Sequence, residues 1–177
     1  MKRRTSFFLA SVVSLGLVGS AHAKLSGSGG SVEFTATGPA GLKIVGTTSQ
    51  ITVREDGANV VVTVPLAGLD TGIALRNKHM REKYLEVDKF PTAELTVARS
   101  ALKVGEGSGT AQGTMKIHGQ TRPVSFGYTA AKGGPGLTVE GTVHLDMKAF
   151  GIEVPSYMGV TVKPDVDVKA KLGVSDG

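Results

Sequence analysis

From Leu137 to Lys148 the chain alternates without a break. Leu137, Val139, Gly141, Val143, Leu145 and Met147 fall on one side, and Thr138, Glu140, Thr142, His144, Asp146 and Lys148 on the other. A period of two is the spacing of a strand with one apolar and one polar face, and an amphipathic helix does not fit it. The final segment repeats the pattern: Val160, Val162, Val166, Val168, Ala170 and Leu172 share a face, with Thr161, Lys163, Asp165, Asp167, Lys169 and Lys171 opposite. Similar strands are read at about 32–37, 42–53, 59–66, 93–102, 110–118 and 122–130. Asp56-Gly57, His118-Gly119-Gln120 and Gly133-Gly134-Pro135-Gly136 supply turns between them. The pattern predicts an all-β chain of eight strands, mostly joined by hairpins.

Several of these strands are longer than the usual five or six residues, which suits a closed antiparallel barrel and removes exposed strand edges. A two-sheet sandwich is the alternative. One segment breaks the alternation. Residues 73–85 are rich in helix formers, with Ile73, Met80 and Tyr84 on one stripe, Asp70 or Thr71 as N-cap and Pro91 beyond the end. One short helix is therefore expected between strands three and four, packed on the barrel near one mouth.

Charge is informative only after the N-terminus is read. Lys2, Arg3 and Arg4 precede an apolar run, Phe7 to Val18, that ends in Ala21-His22-Ala23. A basic start, an apolar run of about a dozen residues and small residues at the cut make a secretory signal peptide, expected to be cleaved after Ala23. The run is too short to span a membrane. Removing the three basic residues from the 20 Lys+Arg leaves 17 against 15 Asp+Glu, so the overall +5 becomes +2. That near-neutral remainder argues against nucleic-acid binding, which needs a concentrated basic stripe. With no cysteine the chain has no disulfides, so its stability must come from a core. Residues 24–30, a Ser/Gly run, read as a flexible lead-in, and 31–174 as one domain. The expected location is periplasmic or secreted.

Catalysis needs a nucleophile, a base and an orienting group brought together, and the sequence offers no such set. Beyond the leader it has three histidines, His79, His118 and His144, and no G-x-S-x-G elbow. Gly105-Glu106-Gly107-Ser108-Gly109 superficially resembles a phosphate loop, but it opens no helix and reads as a flexible hairpin. His144 and Asp146 share a strand face and are a partial, solvated pair rather than a metal site. No catalytic residue, metal or cofactor is expected.

Binding directs attention to the barrel interior. The inward side chains, strand by strand, are Val32 and Phe34; Ile44; Val62; Leu95 and Val97; Met115 and Ile117; Phe126 and Tyr128; Leu137, Val139, Val143 and Leu145; Val166 and Val168. Small Ala36, Ala93, Gly141 and Ala170 stand among them. An eight-stranded barrel is either filled by such side chains or hollow enough for one small ligand, and the pattern alone admits both. On the helix, Arg76, Lys78, Arg81 and Lys83, with His79, face only Glu82. They form either a cationic patch suited to a phosphate head group or a solvated helix face.

These residues also carry a resemblance to a known family. Leu69-Asp70-Thr71-Gly72, then Arg76, His79-Met80-Arg81 and Tyr84-Leu85-Glu86-Val87-Asp88-Lys89-Phe90-Pro91-Thr92 resemble the D-T-G, R-x-x-H-L-R, F-D-V-x-x-Y-P signature of the bacterial YceI-like family of exported lipid- or polyisoprenoid-binding proteins. Gly113 to Val124, which includes Ile117-His118-Gly119, is similar to that family's G-x-L-T-I-H-G-x-T-K-P-V hairpin. The resemblance covers nearly all of the chain beyond the leader. It implies a lipocalin-like antiparallel barrel whose hollow lumen holds a long-chain amphiphile, and it gives His118 and His79 structural places. It departs at the start. The family's aromatic residue and His-Ser pair are replaced by Ser31-Val32-Glu33-Phe34, so no role of those histidines carries over.

The expectation is an exported, non-enzymatic carrier of an isoprenoid or other fatty amphiphilic lipid. The sixteen inward residues would line the lumen, and Arg76, His79 and Arg81 would contact the head group. A homodimer is compatible with the sequence. The rival is an interaction or structural domain with a filled core. A hydrolase or isomerase of lipid-like substrates is a weaker third, because the inward faces carry almost no ionisable group.

Overall fold

The computed structural model describes residues 24–103 and 105–176; the leader expected over 1–23 lies outside them. Strands dominate: β1 (Leu25–Ser28), β2 (Gly30–Thr37), β3 (Lys43–Thr48), β4 (Thr52–Asp56), β5 (Asn59–Pro65), β6 (Thr92–Ala98), β7 (Gly107–Ile117), β8 (Gln120–Gly133), β9 (Gly136–Asp146), β10 (Ser156–Tyr157), β11 (Val160–Thr161) and β12 (Asp165–Asp176). Between β5 and β6 lie α1 (Ala74–His79) and a π-helical turn, Met80–Tyr84.

Four of the short segments act as two long strands. β1 and β2 run in turn along β12, from Leu25↔Asp176 to Ala36↔Val166. β4 and β3 run along β1 and β2 in one unbroken register, Ser28↔Thr52 and Val32↔Thr48. Between the pairs the Gly29 N–H donates to the Ile51 carbonyl at 2.9 Å. Gly29 has φ +74, a value glycine tolerates without strain, and it supplies the extra residue of a bulge that bends the strand. Counted this way, eight antiparallel strands close a barrel. Its sequential hairpins run from β4 through β9 to β12, which returns to β1 and β2.

Burial follows the alternation. In β9 the buried residues are Val143 and Leu145, and their neighbours Thr142, His144 and Asp146 are exposed. Val and Thr suit such strands because a branched Cβ packs well on a pleated surface. The β7–β8 hairpin is closed by His118-Gly119, both at positive φ (52° and 72°), the twist-matched two-residue turn. Val32, Ile51, Val53, Val60, Val97 and Phe126 belong to the main apolar cluster, which lines the barrel interior. A second cluster, Leu66, Leu69 and Met80 with Phe34 against it, anchors the helical segment over one end.

Several expectations are corrected. Residues 24–30 are not a loose lead-in: β1 lies there and pairs on both edges, with β4 and β12. Backbone pairing needs no apolar side chains, so a Ser/Gly run suffices. Gly105 to Gly109 is not a hairpin, because Gly107, Ser108 and Gly109 pair within β7 opposite Ala130, Thr129 and Tyr128. The last segment is not one strand from Val160. β11 ends at Thr161 and β12 begins after Pro164, which has no N–H to give a ladder. Neither Asp70 nor Thr71 caps α1. The N-cap is Ile73, with extended φ/ψ and no side-chain cap bond, so Ile73 also leaves the buried stripe and is 49% exposed.

Candidate functional site

The barrel is hollow. Its larger chamber, about 810 Å³, opens at the end that carries α1. A smaller chamber of about 330 Å³ occupies the end near the β8–β9 turn. Val62, Leu95, Phe126, Gly141 and Ala170 line both and form the waist between them. Volumes of this order are typical of ligand sites.

The side chains expected to face inward do surround this space. Val32, Phe34, Ile44, Val62, Leu95, Met115, Ile117, Phe126, Val143, Leu145, Val166 and Val168 line the larger chamber. Val97, Tyr128, Leu137 and Val139 line the smaller one. The sequence missed the lining contributed by irregular segments. Leu66, Leu69, Met80, Tyr84 and Leu85 come from the stretch around the helix, and Phe150, Ile152, Tyr157 and Met158 from the stretch between β9 and β12. Neither stretch has a strand period to mark its inward face.

Small residues keep the space open. A Cβ placed on Gly141 meets only the Gly127 carbonyl oxygen, at 3.9 Å, so there is room for a side chain that the sequence does not supply. Gly46 is the opposite case. It is the register partner of Phe34, and a Cβ there would come within 2.2 Å of the Phe34 ring. Glycine at 46 therefore lets Phe34 lie flat beside the mouth.

The polar part of the larger chamber is confined. Its ionisable lining residues are Arg76, His79, Tyr84 and Tyr157, with no carboxylate among the described residues. Arg76 is half-buried and His79 exposed. Arg81, expected with them as a head-group contact, does not line the chamber. Its Nη2 donates to the Leu69 carbonyl at 2.7 Å, and its Nε is buried without a partner among the described residues. The π-helical turn that begins at Met80 shifts the angular position of the next residues, so Arg81 points back into the support of the mouth.

That support is a polar lattice. The Asn77 amide donates to Asp70 Oδ1 at 2.7 Å, and the Thr71 N–H and hydroxyl both donate to Asn77 Oδ1 at 2.8 Å. Bonds from Asn77 and from the Gly72 N–H hold the Asp70 carboxyl below its ordinary range. On the other side of the helical segment, His118 Nε2 donates to Glu86 Oε2 at 2.9 Å, and Phe90 packs edge-on against the His118 ring. Hydrogen bonds from Lys89 first, then from His118, lower the Glu86 carboxyl. The two signature segments read in the sequence therefore meet, with the β7–β8 turn fastened to the loop that comes after the helix.

His144 lies on the outer wall, away from the chamber. Its Nδ1 is 2.8 Å from Asp167 and its Nε2 3.3 Å from Asp165. Among the described residues no group of three or more His, Cys, Asp or Glu is placed to hold a metal. No helix among them is long and apolar enough to cross a membrane.

Comparison with known proteins yields a match to the YceI-like domain over residues 18–174. Curated relatives include a UPF0312 protein of Vibrio cholerae, 30% identical over 118 residues, which are 63% of this chain and 60% of the relative. A UPF0312 protein of Pseudomonas putida is 28% identical over 123 residues, 66% of this chain and 64% of the relative. The chain thus matches less than two thirds of the length of either. Among solved structures, the chain is similar to a polyisoprenoid binding domain from Saccharophagus degradans implicated in plant cell wall breakdown. The TM-score is 0.70 and the identity 14%, over 88% of this chain and 99% of that one. Burkholderia cenocepacia BcnA gives a TM-score of 0.65 and 19% identity, over 81% and 96%. At these identities the structural likeness is one of fold.

Proposed function

The chain belongs to the YceI-like domain family, and on that premise we propose that it is a carrier that holds the apolar tail of an isoprenoid or similar long-chain amphiphile in the barrel. The observation that carries this reading is the 810 Å³ chamber, lined by side chains from nearly every strand and almost wholly apolar. A tail burying about ten methylenes there would gain roughly 8 kcal/mol, which corresponds to micromolar affinity before ordering costs. The solved neighbour described as a polyisoprenoid binding domain supports the same ligand class. The polar head would lie at the mouth beside Arg76 and His79, the cationic and titratable groups that line it.

Binding rather than catalysis is supported by the lining, where Arg76, His79, Tyr84 and Tyr157 are the ionisable groups and no carboxylate stands beside them. Export is part of the proposal. It rests on Lys2-Arg3-Arg4, the apolar run and Ala21-His22-Ala23, and it places the carrier in the periplasm or outside the cell.

The test is titration of delipidated protein with isoprenoid or alkyl amphiphiles of graded chain length. One-to-one binding is expected, with affinity rising about fourfold per methylene until the chamber is full. Affinity independent of chain length would overturn the reading. Charge reversal at Arg76 should weaken binding of an anionic head and leave a neutral one unaffected.

A further inference from the structure

We propose that the rim of the open mouth is a docking surface for an anionic lipid bilayer, from which the barrel exchanges its ligand. Seven large apolar side chains are exposed among the described residues, and six of them, Leu42, Ile73, Leu75, Tyr157, Met158 and Val160, line the larger chamber at its mouth; Val45 is the exception. Scattered exposed hydrophobics need no explanation, but a ring of them does. They come from three separate places in the sequence: the turn between β2 and β3, α1, and the β10–β11 hairpin. Met158, 86% exposed at the hairpin tip, and Tyr157, 65% exposed, reach furthest into solvent.

The charges on the same three segments have one sign. Residues 39–45, 73–79 and 155–163 carry Lys43, Arg76, Lys78 and Lys163, together with His79, and no Asp or Glu. Of the nearby acids, Glu153 pairs with Lys83 at 2.9 Å, Asp70 is bonded by Asn77 and Gly72, and Asp165 faces His144 at 3.3 Å, which leaves Glu82, just past α1, as the exposed acid without an ion pair among the described residues. Exposed apolar side chains interleaved with basic ones are the pattern of an interfacial surface, in which the apolar groups enter the acyl boundary and the cations meet lipid phosphates. The position of the ring favours a bilayer over a protein partner. A protein seated on it would seal the chamber, whereas a bilayer presents acyl chains directly to the opening. Ligand exchange rests on the lumen reading, whereas docking goes beyond it, since the rim contacts the bilayer whether or not the chamber holds a ligand.

The experiment is flotation of the protein with vesicles of phosphatidylcholine alone and with vesicles containing about 30% phosphatidylglycerol. At least tenfold stronger partition to the anionic vesicles is expected, weakening as salt is raised. The double variant Leu75→Asp, Met158→Asp, at two exposed positions, should lose at least tenfold of that partition while keeping its circular dichroism. No flotation of the wild type, or equal flotation of the double variant, overturns the proposal. So does a concentration-dependent dimer in sedimentation that the double variant abolishes without any flotation, because the ring would then belong to a second copy of the chain. Flotation that persists while the polyisoprenoid alcohol fails to bind would remove the lumen reading and leave docking intact.

Discussion

Gly141 and Ala170 stand opposite each other in register on β9 and β12, at the level where the two chambers meet. Two minimal side chains on neighbouring strands leave the waist open on that wall, while Phe126 narrows it from the β8 side. Replacing Gly141 by Phe should fill the waist with little strain on the backbone, because its Cβ has free space. A blocked waist that excludes three or four methylenes costs about 3 kcal/mol of binding, roughly a hundredfold. A titration with a long-chain ligand checks this, with an unchanged or raised Tm as the sign that the fold is intact.

Phe126 controls the same junction in the opposite sense. Phe126→Ala should widen the passage between the 810 Å³ and 330 Å³ chambers. Longer chains would then go on gaining affinity past the length at which the wild type levels off. Stability should fall by about 3 kcal/mol, the low end for a buried Phe, because the ring already borders empty space. Chain-length series on both proteins provide the comparison.

The inward and outward faces of the barrel were legible because period two assigns them directly, as Val143 and His144 show. Whether the barrel was hollow was not legible. Alternation says which side chains point in, and only the packing of Phe126, Gly141 and Ala170 says how much space they leave. β1 was hidden because Ser26, Gly27 and Ser28 pair through the backbone alone. The placement of Arg81 was misjudged because charge on a helix carries no direction, and the π turn moved it. The two-residue strands β10 and β11 are too short to show a period, so the exposed Met158 between them gave no signal.

The bonds from Lys89 and then His118 to Glu86 predict an acid-sensitive support beneath the mouth. The folded pKa of Glu86 is lowered, so the stability it contributes is present above the ordinary glutamate value of about 4.5 and is lost as pH falls through the lower folded value. Glu86→Gln should therefore lower the Tm at pH 7, with the gap closing in the acid range below 4.5. Thermal melts across that range, with hydrogen exchange at Gly119, measure it.

His144 predicts a dependence of opposite sign. The hydrogen bond to Asp167 raises its pKa most, desolvation opposes it, and Asp165 raises it further. Its contribution is complete below the ordinary histidine value of about 6.5 and is lost as pH rises through the higher folded value. An NMR titration should place the His144 midpoint above 6.5, and Asp167→Asn should bring it back toward that value. The effect on Tm should be small, because the pair is exposed to solvent.

The central claim is that the lumen carries a long-chain lipid, and mass spectrometry of the protein purified from its own host, intact and after organic extraction, tests it most directly. The account predicts one apolar-tailed amphiphile per chain, with lower occupancy in Gly141→Phe. Protein that emerges without lipid, and binds none when offered it, would contradict the claim.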